Sequence, residues 1–234
     1  MSRLESGSPD PAKNTLRARN WVVFSSSSGH TFRKVWRALK TQTQEHFRGL
    51  FIDRPCSALQ VATEFLDPKL IYDFSKSGSK EAFEKAYLDW AQKNYLNEKD
   101  APLILLIGYF RLISPSFLKG ASALVNTHPS LLPAFPGLDK KVHEAAFKNS
   151  LVSGFSVHLV NEEMDSGPLL FQKAVDTSHC KNAEELRGCV RDVEQKYLPQ
   201  IIDQLVLCDL WGKDRELSTR ELQEKMGLPI KCVD

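Results

Sequence analysis

Two polar side chains with catalytic potential interrupt an apolar, proline-rich stretch near the middle of the chain. Asn126 and His128 are separated by one residue within the segment 124–137, which also contains three prolines. On an extended backbone, side chains in this spacing point to the same side. An amide and an imidazole that converge in this way can donate hydrogen bonds to one developing oxyanion. The alternative is a surface turn that contains a histidine, which the prolines disfavour because each fixes φ and removes a backbone donor.

A second polar cluster follows at 162–168, with the sequence Glu-Glu-Met-Asp-Ser-Gly-Pro. Its Asp165 supplies a carboxylate that could orient the imidazole of His128, since a catalytic base or acid is commonly held by a third group. Asn126, His128 and Asp165 therefore form a candidate catalytic site. A further histidine, His158, lies in an alternating segment and is most simply a core or sheet histidine.

A small-residue loop near the N-terminus is a candidate anion site. Four serines, Gly29, His30 and Thr31 lie between an apolar run at 21–24 and a segment with helical spacing at 32–39. A loop between a strand and a helix can present backbone N–H groups to an anion. The G-x-G-x-x-G and P-loop patterns are both absent, so a dinucleotide fold is unsupported. An ordinary connection with a serine N-cap explains the same residues equally well.

Strands and helices alternate along the chain, which favours an α/β protein. The apolar runs predict strands at 21–24, 47–52, 70–72, 102–107, 123–125, 153–160 and 168–174. Helical spacing and capping patterns predict helices at 32–39, 57–65, 79–97, 115–119, 141–148, 182–211 and 218–227. Pro199 is expected to kink or split the long helix, and 164–167 is expected to form a tight hairpin. The predicted fold is a Rossmann-like, mostly parallel sheet flanked by helices, with antiparallel late strands.

Composition limits the class of protein. With 234 residues, 42% of them hydrophobic, the chain is expected to form a single domain over 21–234 after a disordered leader at 1–20. A net charge of +2 calls for neither nucleic acid nor a membrane as a partner. The five cysteines contain no Cys-x-x-Cys pair, which argues against disulfides and against a zinc site. These features predict a soluble, cytoplasmic protein without a metal.

Several of these segments together resemble a known family. Residues 108–115, the run Asn-Thr-His-Pro-Ser-Leu-Leu-Pro-Ala-Phe-Pro-Gly at 126–137, Ser-Val-His at 156–158 and Met-Asp-Ser-Gly-Pro at 164–168 are similar to the 10-formyltetrahydrofolate-dependent formyltransferases. The resemblance covers about 21–210. It implies the formyltransferase fold, 10-formyltetrahydrofolate as co-substrate, small-molecule partners only, and a monomer or homodimer. The chain length is expected to leave no room for the extra domain that tRNA formylases and the hydrolases usually carry. This expectation favours glycinamide ribonucleotide of purine biosynthesis as acceptor over tRNA-bound methionine, an amino sugar or water.

The resemblance also implies roles for the catalytic candidates. The acceptor amine would attack the formyl carbon, and Asn126 and His128 would hydrogen-bond the resulting oxyanion. His128 would donate a proton to the leaving folate nitrogen, directly or through water. Asp165 would hold the imidazole. The Leu132–Pro133 peptide bond is expected to be cis, as at the matching position in the family.

Two further sets of residues are implied as binding groups. Those expected to contact the folate are Phe110, Arg111, Leu112, Ile113, Val160, Asn161, Glu162, Glu163 and Met164. Those expected to contact the acceptor are Ser28, Gly29, His30, Thr31, Lys80 and Glu194. The family's phosphate loop reads Gly-x-Gly-Ser-Asn, and only its second glycine is kept here, as Gly29. A solvated lysine and an exposed helical glutamate remain the alternatives for Lys80 and Glu194.

Overall fold

The computed structural model describes residues 18–96, 100–137 and 139–207. Within them, seven strands form one sheet in the order β3-β2-β1-β4-β5-β6-β7. The strands are β1 (Trp21–Ser25), β2 (Phe47–Ile52), β3 (Ile71–Asp73), β4 (Leu103–Leu106), β5 (Leu124–His128), β6 (Val152–Leu159) and β7 (Leu169–Asp176). The first five strands are parallel to one another, whereas β6 pairs antiparallel with both β5 and β7. The predicted mostly parallel sheet with antiparallel late strands is confirmed.

Helices cover both faces of this sheet. They are α1 (His30–Ala38), α2 (Thr41–Glu45), α3 (Ala58–Ala62), α4 (Lys80–Asn94), α5 (Pro115–Gly120), α6 (Asp139–Asn149) and α7 (Ala183–Leu207). Of these, α1, α2 and α6 contact α7, and α4 contacts α5. The sequence did not predict α2, which is short and lacks an apolar stripe. No helix in the described ranges is both long and apolar enough to cross a membrane.

The core is built from strands that are apolar on both sides. All five residues of β1 are buried, with Trp21 and Val23 in one apolar cluster and Val22 and Phe24 in the other. Continuous burial of this kind is typical of a central parallel strand. Because β1 lies between β2 and β4, the core fixes the centre of the sheet and the loops that leave it.

Three predictions about elements need correction. The connection between β6 and β7 runs over 160–168 and is not a tight hairpin. The helix α3 ends at Ala62, before its predicted end at 65, because the chain continues as single turns. The long helix continues through Pro199, so the expected split is wrong and the expected kink stays a prediction. That part of α7 is almost entirely buried, and packing outweighs one lost backbone hydrogen bond.

The chain ends lie largely outside the described residues. That holds for residues 1–17 of the predicted leader at 1–20, for the end of the long helix at 211 and for the helix at 218–227. The last residues before β1 are already held by the domain: the Arg19 N–H donates to the Val206 carbonyl at 2.8 Å, and the Leu103 N–H donates to the Asn20 carbonyl at 2.9 Å.

Strand register brings the candidate site together. In the parallel part of the sheet, Phe24 of β1 lies beside Leu106 of β4, and Leu106 lies beside Asn126 of β5. The loops that follow these three strands therefore leave from one edge of the sheet, where α/β proteins bind ligands. The antiparallel β6 then places His158 directly opposite Asn126.

Candidate active site

Four polar side chains converge at the end of β5. The Asn126 amide nitrogen lies 3.3 Å from Nε2 of His158. Asp165 lies between the two histidines, with Oδ2 3.5 Å from Nδ1 of His128 and Oδ1 3.8 Å from Nε2 of His158. Both imidazoles are almost fully buried. The predicted catalytic residues are thus close together, and His158 adds a fourth member.

Asp165 reaches this position because the loop after β6 makes an unusual turn. Its φ is 54°, a left-handed conformation that few residues other than glycine adopt, although Asp and Asn do so more readily than most. Its Oδ2 also accepts a hydrogen bond from the Gly137 N–H at 2.9 Å. One carboxylate therefore joins the loop after β6 to the loop after β5.

His128 is held by a second contact on its other ring nitrogen. Its Nε2 lies 3.0 Å from the Phe135 carbonyl oxygen, so this nitrogen carries the proton and donates. For Nε2 to donate to an oxyanion, the oxyanion must take the place of the Phe135 carbonyl oxygen as acceptor. Catalytic hydrogen bonds often form only when substrate is bound, so this change of acceptor is compatible with a catalytic role.

His158 has a defined tautomer. Burial lowers its pKa below the usual range, and the nearby Leu159 carbonyl and Asp165 only partly oppose that effect. The neutral ring donates from Nδ1 to the Leu159 carbonyl at 2.8 Å, which leaves Nε2 as an acceptor. Asn126 must then donate to His158, so its Nδ2 has one remaining N–H. The sequence favoured a sheet histidine here, and His158 is one, but it also orients Asn126.

The proline-rich loop is fixed to the late strands. The Leu132–Pro133 bond is cis, which confirms the prediction. Ser156 of β6 donates to the Ser130 carbonyl at 2.6 Å and accepts from the Leu132 N–H at 3.0 Å. Gln172 of β7 donates to the Leu132 carbonyl at 2.7 Å. The segment that carries His128 is therefore supported by side chains distant in sequence.

A single cleft of about 880 Å³ borders the four converging side chains. Every residue that the resemblance implied for folate or acceptor binding also borders this cleft. Its mouth carries exposed apolar side chains, with Phe110 40%, Leu112 63% and Met164 51% exposed. Cationic side chains line it as well, among them Lys80, Arg111 and Arg191. A ligand with a flat apolar part and anionic groups fits this lining.

The small-residue loop forms the N-terminal end of α1. Gly29 is the N-cap with φ 73°, and a Cβ added there would lie 2.9 Å from Cα of Ala58. Both facts require glycine at this position. Ser27 is not among the described non-glycine residues with positive φ, so the serine that replaces the family's first glycine costs no backbone strain. Gln195 of α7 donates to the Thr31 hydroxyl at 3.3 Å and ties the loop to the long helix.

The sequence missed Asp53 as a partner in this region. Its side chain is fully buried, and Oδ2 lies 2.5 Å from Nε of Arg111 and 3.3 Å from Nε of Arg54. Arg111 is thus held by a carboxylate that follows β2 directly. A polar residue immediately after an apolar strand was the available signal, since such positions reach the ligand-binding edge of a parallel sheet.

Comparison with known proteins places this geometry in a family. Residues 19–202 match the family model described as formyl transferase. The phosphoribosylglycinamide formyltransferase of Bacillus subtilis (strain 168) is 32% identical over 191 residues, covering 80% of this chain and 95% of the relative. The crystal structure of glycinamide ribonucleotide transformylase 1 from Geobacillus kaustophilus is 30% identical, with a TM-score of 0.66 and coverage of 81% of this chain and 100% of that one.

A shorter match concerns a different reaction. The formyltetrahydrofolate deformylase of Haemophilus influenzae (strain ATCC 51907 / DSM 11121 / KW20 / Rd) is 33% identical over 110 residues, which is 46% of this chain and 39% of that protein. The family model instead covers the sheet from β1 to β7 and most of α7. The family model matches most of the described residues, and the cleft lies at the carboxyl edge of the matched sheet. This chain therefore belongs to the formyl transferase family.

Proposed function

We propose that this protein transfers the formyl group of 10-formyltetrahydrofolate to the amine of glycinamide ribonucleotide, a step of purine biosynthesis. The observation that supports this most directly is the convergence of Asn126, His128 and Asp165 on one cleft of suitable size. The named activities of the Bacillus and Geobacillus proteins, which match most of this chain, support the same acceptor.

Formyl transfer needs a group that stabilises negative charge and a group that moves a proton. The amine nitrogen bonds to the formyl carbon, and the carbonyl electrons move onto oxygen. The free N–H of Asn126 and the Nε2–H of His128 stabilise this oxyanion, each donor contributing about 3–4 kcal/mol. When the oxyanion collapses, the bond from carbon to the folate nitrogen breaks. The proton lost by the amine reaches that nitrogen by way of His128 or water.

Asp165 and His158 position these two donors. Asp165 faces Nδ1 of His128 and fixes the ring plane while the ring exchanges the Phe135 carbonyl for the oxyanion. Neutral His158 accepts from Asn126 and keeps its amide nitrogen, rather than its oxygen, directed at the reaction centre. Because both side chains are held in place, the only change that the oxyanion requires of them is the exchange of this one partner of His128.

The folate is proposed to lie against the segments 110–113 and 160–164. Phe110, Leu112 and Met164 offer partly exposed apolar surface to a flat ring. Arg111, fixed by buried Asp53, offers a cation to the acidic part of the molecule. The co-substrate supplies the activated formyl carbon, and these residues bind and orient it.

The phosphate of the acceptor is proposed to bind at the start of α1. The N–H groups of Gly29, His30 and Thr31 lie at the positive end of the helix, whose first turn contains no acidic residue. Lys80 borders the same cleft and adds a cation. Glu194, on α7, borders it too and is proposed to accept from the substrate amine.

A second acceptor is supported by one observation. The deformylase match over part of the chain raises water as the alternative nucleophile. Rates of formyl-folate consumption with and without glycinamide ribonucleotide separate the two. Consumption that depends on the acceptor and yields a formylated product supports transfer. Equal rates in its absence would show a hydrolase and contradict the proposal.

The phosphate site needs its own experiment. Binding of glycinamide ribonucleotide is compared with that of its unphosphorylated riboside. The proposal expects the ribonucleotide to bind at least about tenfold more tightly, since charge-assisted hydrogen bonds to backbone N–H groups are strong. Equal affinities would show that the loop at 28–31 does not bind phosphate and would favour a different acceptor.

A further inference from the structure

Three side chains with metal-binding atoms lie together where β7 leads into α7, outside the residues that border the cleft. The ligand atoms of His179, Cys180 and Cys189 all lie within 4.8 Å of one another. The spacing of the cysteines gave no sign of this, because no Cys-x-x-Cys pair is present. We propose that these three residues bind a zinc ion, with a water molecule as the fourth ligand.

The distances are those of a zinc tetrahedron. The Cys180 and Cys189 sulfurs lie 3.9 Å apart, and the Cys189 sulfur lies 3.7 Å from Nε2 of His179. Zinc binds sulfur at about 2.3 Å and nitrogen at about 2.0–2.1 Å, which at tetrahedral angles separates two sulfurs by about 3.8 Å and a sulfur from a nitrogen by about 3.6 Å. An ion fits between these atoms after shifts of a few tenths of an ångström.

The three ligands are carried by ordered backbone. The Cys180 N–H donates to the Thr177 carbonyl at 3.0 Å, which closes a turn directly after β7. Cys189 lies on α7. Both cysteines are half-buried and pack against the larger apolar cluster, whereas His179 is exposed. The exposed side leaves room for the water ligand.

The local charges favour a cation. The carboxylates of Glu185 and Asp176 interact electrostatically with the Cys180 side chain. Their negative charge stabilises a cation placed among the three ligands. Zinc binding releases the two thiol protons and gives a neutral centre of two thiolates, one neutral imidazole and one Zn²⁺.

The ligand set selects the metal. Two thiolates and an imidazole suit Zn²⁺, whereas Mg²⁺ and Ca²⁺ require oxygen ligands. The bound ion would fasten the turn after β7 to α7. Because Arg191 and Glu194 border the cleft further along the same helix, the ion would help to hold the part of α7 that faces the cleft.

Metal binding is measured directly and does not depend on formyl transfer. The full-length protein is reduced with a phosphine, freed of metal with a chelator and titrated with Co²⁺. We expect one Co²⁺ per chain, with thiolate charge-transfer and tetrahedral visible bands that Zn²⁺ abolishes. At a free Zn²⁺ concentration of 100 times Kd, the melting temperature should rise by about 5–10 °C.

Matched variants decide which residues bind. C180S and C189S should each abolish the charge-transfer signal. H179A should weaken Co²⁺ binding at least about tenfold, and its fold should be unaffected because His179 is exposed.

The control variants change cysteines outside the proposed site. C56S and the double variant C208S/C232S should bind Co²⁺ like the unaltered protein. Loss of binding in either control, or unchanged binding in H179A, would overturn the assignment. So would a reduced protein that binds no Co²⁺, or one in which Cys180 and Cys189 only form a disulfide.

Discussion

Nδ1 of His128 lies 3.5 Å from Oδ2 of Asp165, although the two residues belong to different loops at the end of the sheet. The same carboxylate oxygen accepts the Gly137 N–H. Asp165 thus fixes both the ring of His128 and the end of the proline-rich loop that follows it. The proposed reaction depends on this arrangement, because a donor that is misplaced by about 1 Å loses much of its effect.

Replacing His128 with alanine, or Asp165 with asparagine, should reduce turnover at least about a hundredfold. Each change removes a transition-state contact or its support and little core volume. Turnover is measured with saturating co-substrates, and circular dichroism checks the fold. Near-normal turnover in a folded variant would contradict the role assigned to that residue.

The double variant H128A/D165N should be less impaired than the product of the two single effects. Asp165 is proposed to act through His128, so its removal costs little once the imidazole is absent. A double-mutant cycle on kcat measures this coupling. Fully multiplicative effects would mean that Asp165 acts independently of the histidine.

Stability should fall as pH decreases below about 6.5, partly because of His158. Burial lowers the pKa of this histidine in the folded protein, so the unfolded chain takes up a proton first as pH falls. The free energy of unfolding then decreases with falling pH in that window, and above it both states are neutral and His158 contributes no dependence. Urea denaturation from about pH 7.5 to about 5.5 should show a smaller decrease for H158Q.

Exposed His30 provides the control for this measurement. H30Q should keep the pH dependence of the unaltered protein, because the side chain of His30 is exposed. If H158Q followed the unaltered protein across the whole range, the burial of a neutral imidazole would not contribute to acid sensitivity.

Gly29→Ala should raise the KM for the phosphorylated acceptor at least about tenfold and destabilise the protein. The residue has φ 73°, and the new Cβ would lie 2.9 Å from Cα of Ala58, so the loop must move. Gly78→Ala is the matched control, because φ is 84° there but no atom lies within 4 Å of an added Cβ. It should lose about 1–2 kcal/mol of stability and keep its KM. If Gly29→Ala left the KM for the phosphorylated acceptor unchanged, the loop at 28–31 would not be the phosphate site.

Asp53→Asn should weaken binding of the formyl-folate and cost about 1.5–3 kcal/mol of stability, because buried Asp53 holds the guanidinium of Arg111. Arg54→Gln is the comparison, since Arg54 lies farther from the carboxylate and is 37% exposed. Its effect on KM should be small. If both variants changed the KM for the formyl-folate equally, the net charge of this region, and not the position of Arg111, would explain the result.

The sequence by itself determined the strands of the sheet and the polar residues at their ends. Predominantly apolar segments identified β2 to the residue and β4 to within one residue at each end, because buried parallel strands have a simple local pattern. Polar residues at strand ends identified Asn126, His128 and the loop at 25–31. Their side-chain types and spacing were sufficient to suggest the stabilisation of an oxyanion, and the resemblance to a family then suggested formyl transfer.

Only the tertiary structure decided which polar groups meet. The pairing of Asn126 with His158 follows from the antiparallel register of β5 and β6. Asp165 reaches both histidines because the long loop after β6 turns through a left-handed residue. The contact between Asp53 and Arg111 likewise joins two segments that are far apart in the chain. The cluster of His179, Cys180 and Cys189 forms because a turn brings the end of β7 against α7. The periodicity of the sequence predicts which face of a strand or helix a residue occupies. The distances between side chains are set by strand register, by the path of the loops and by the packing of α7. Those distances determine which groups can act together in a reaction.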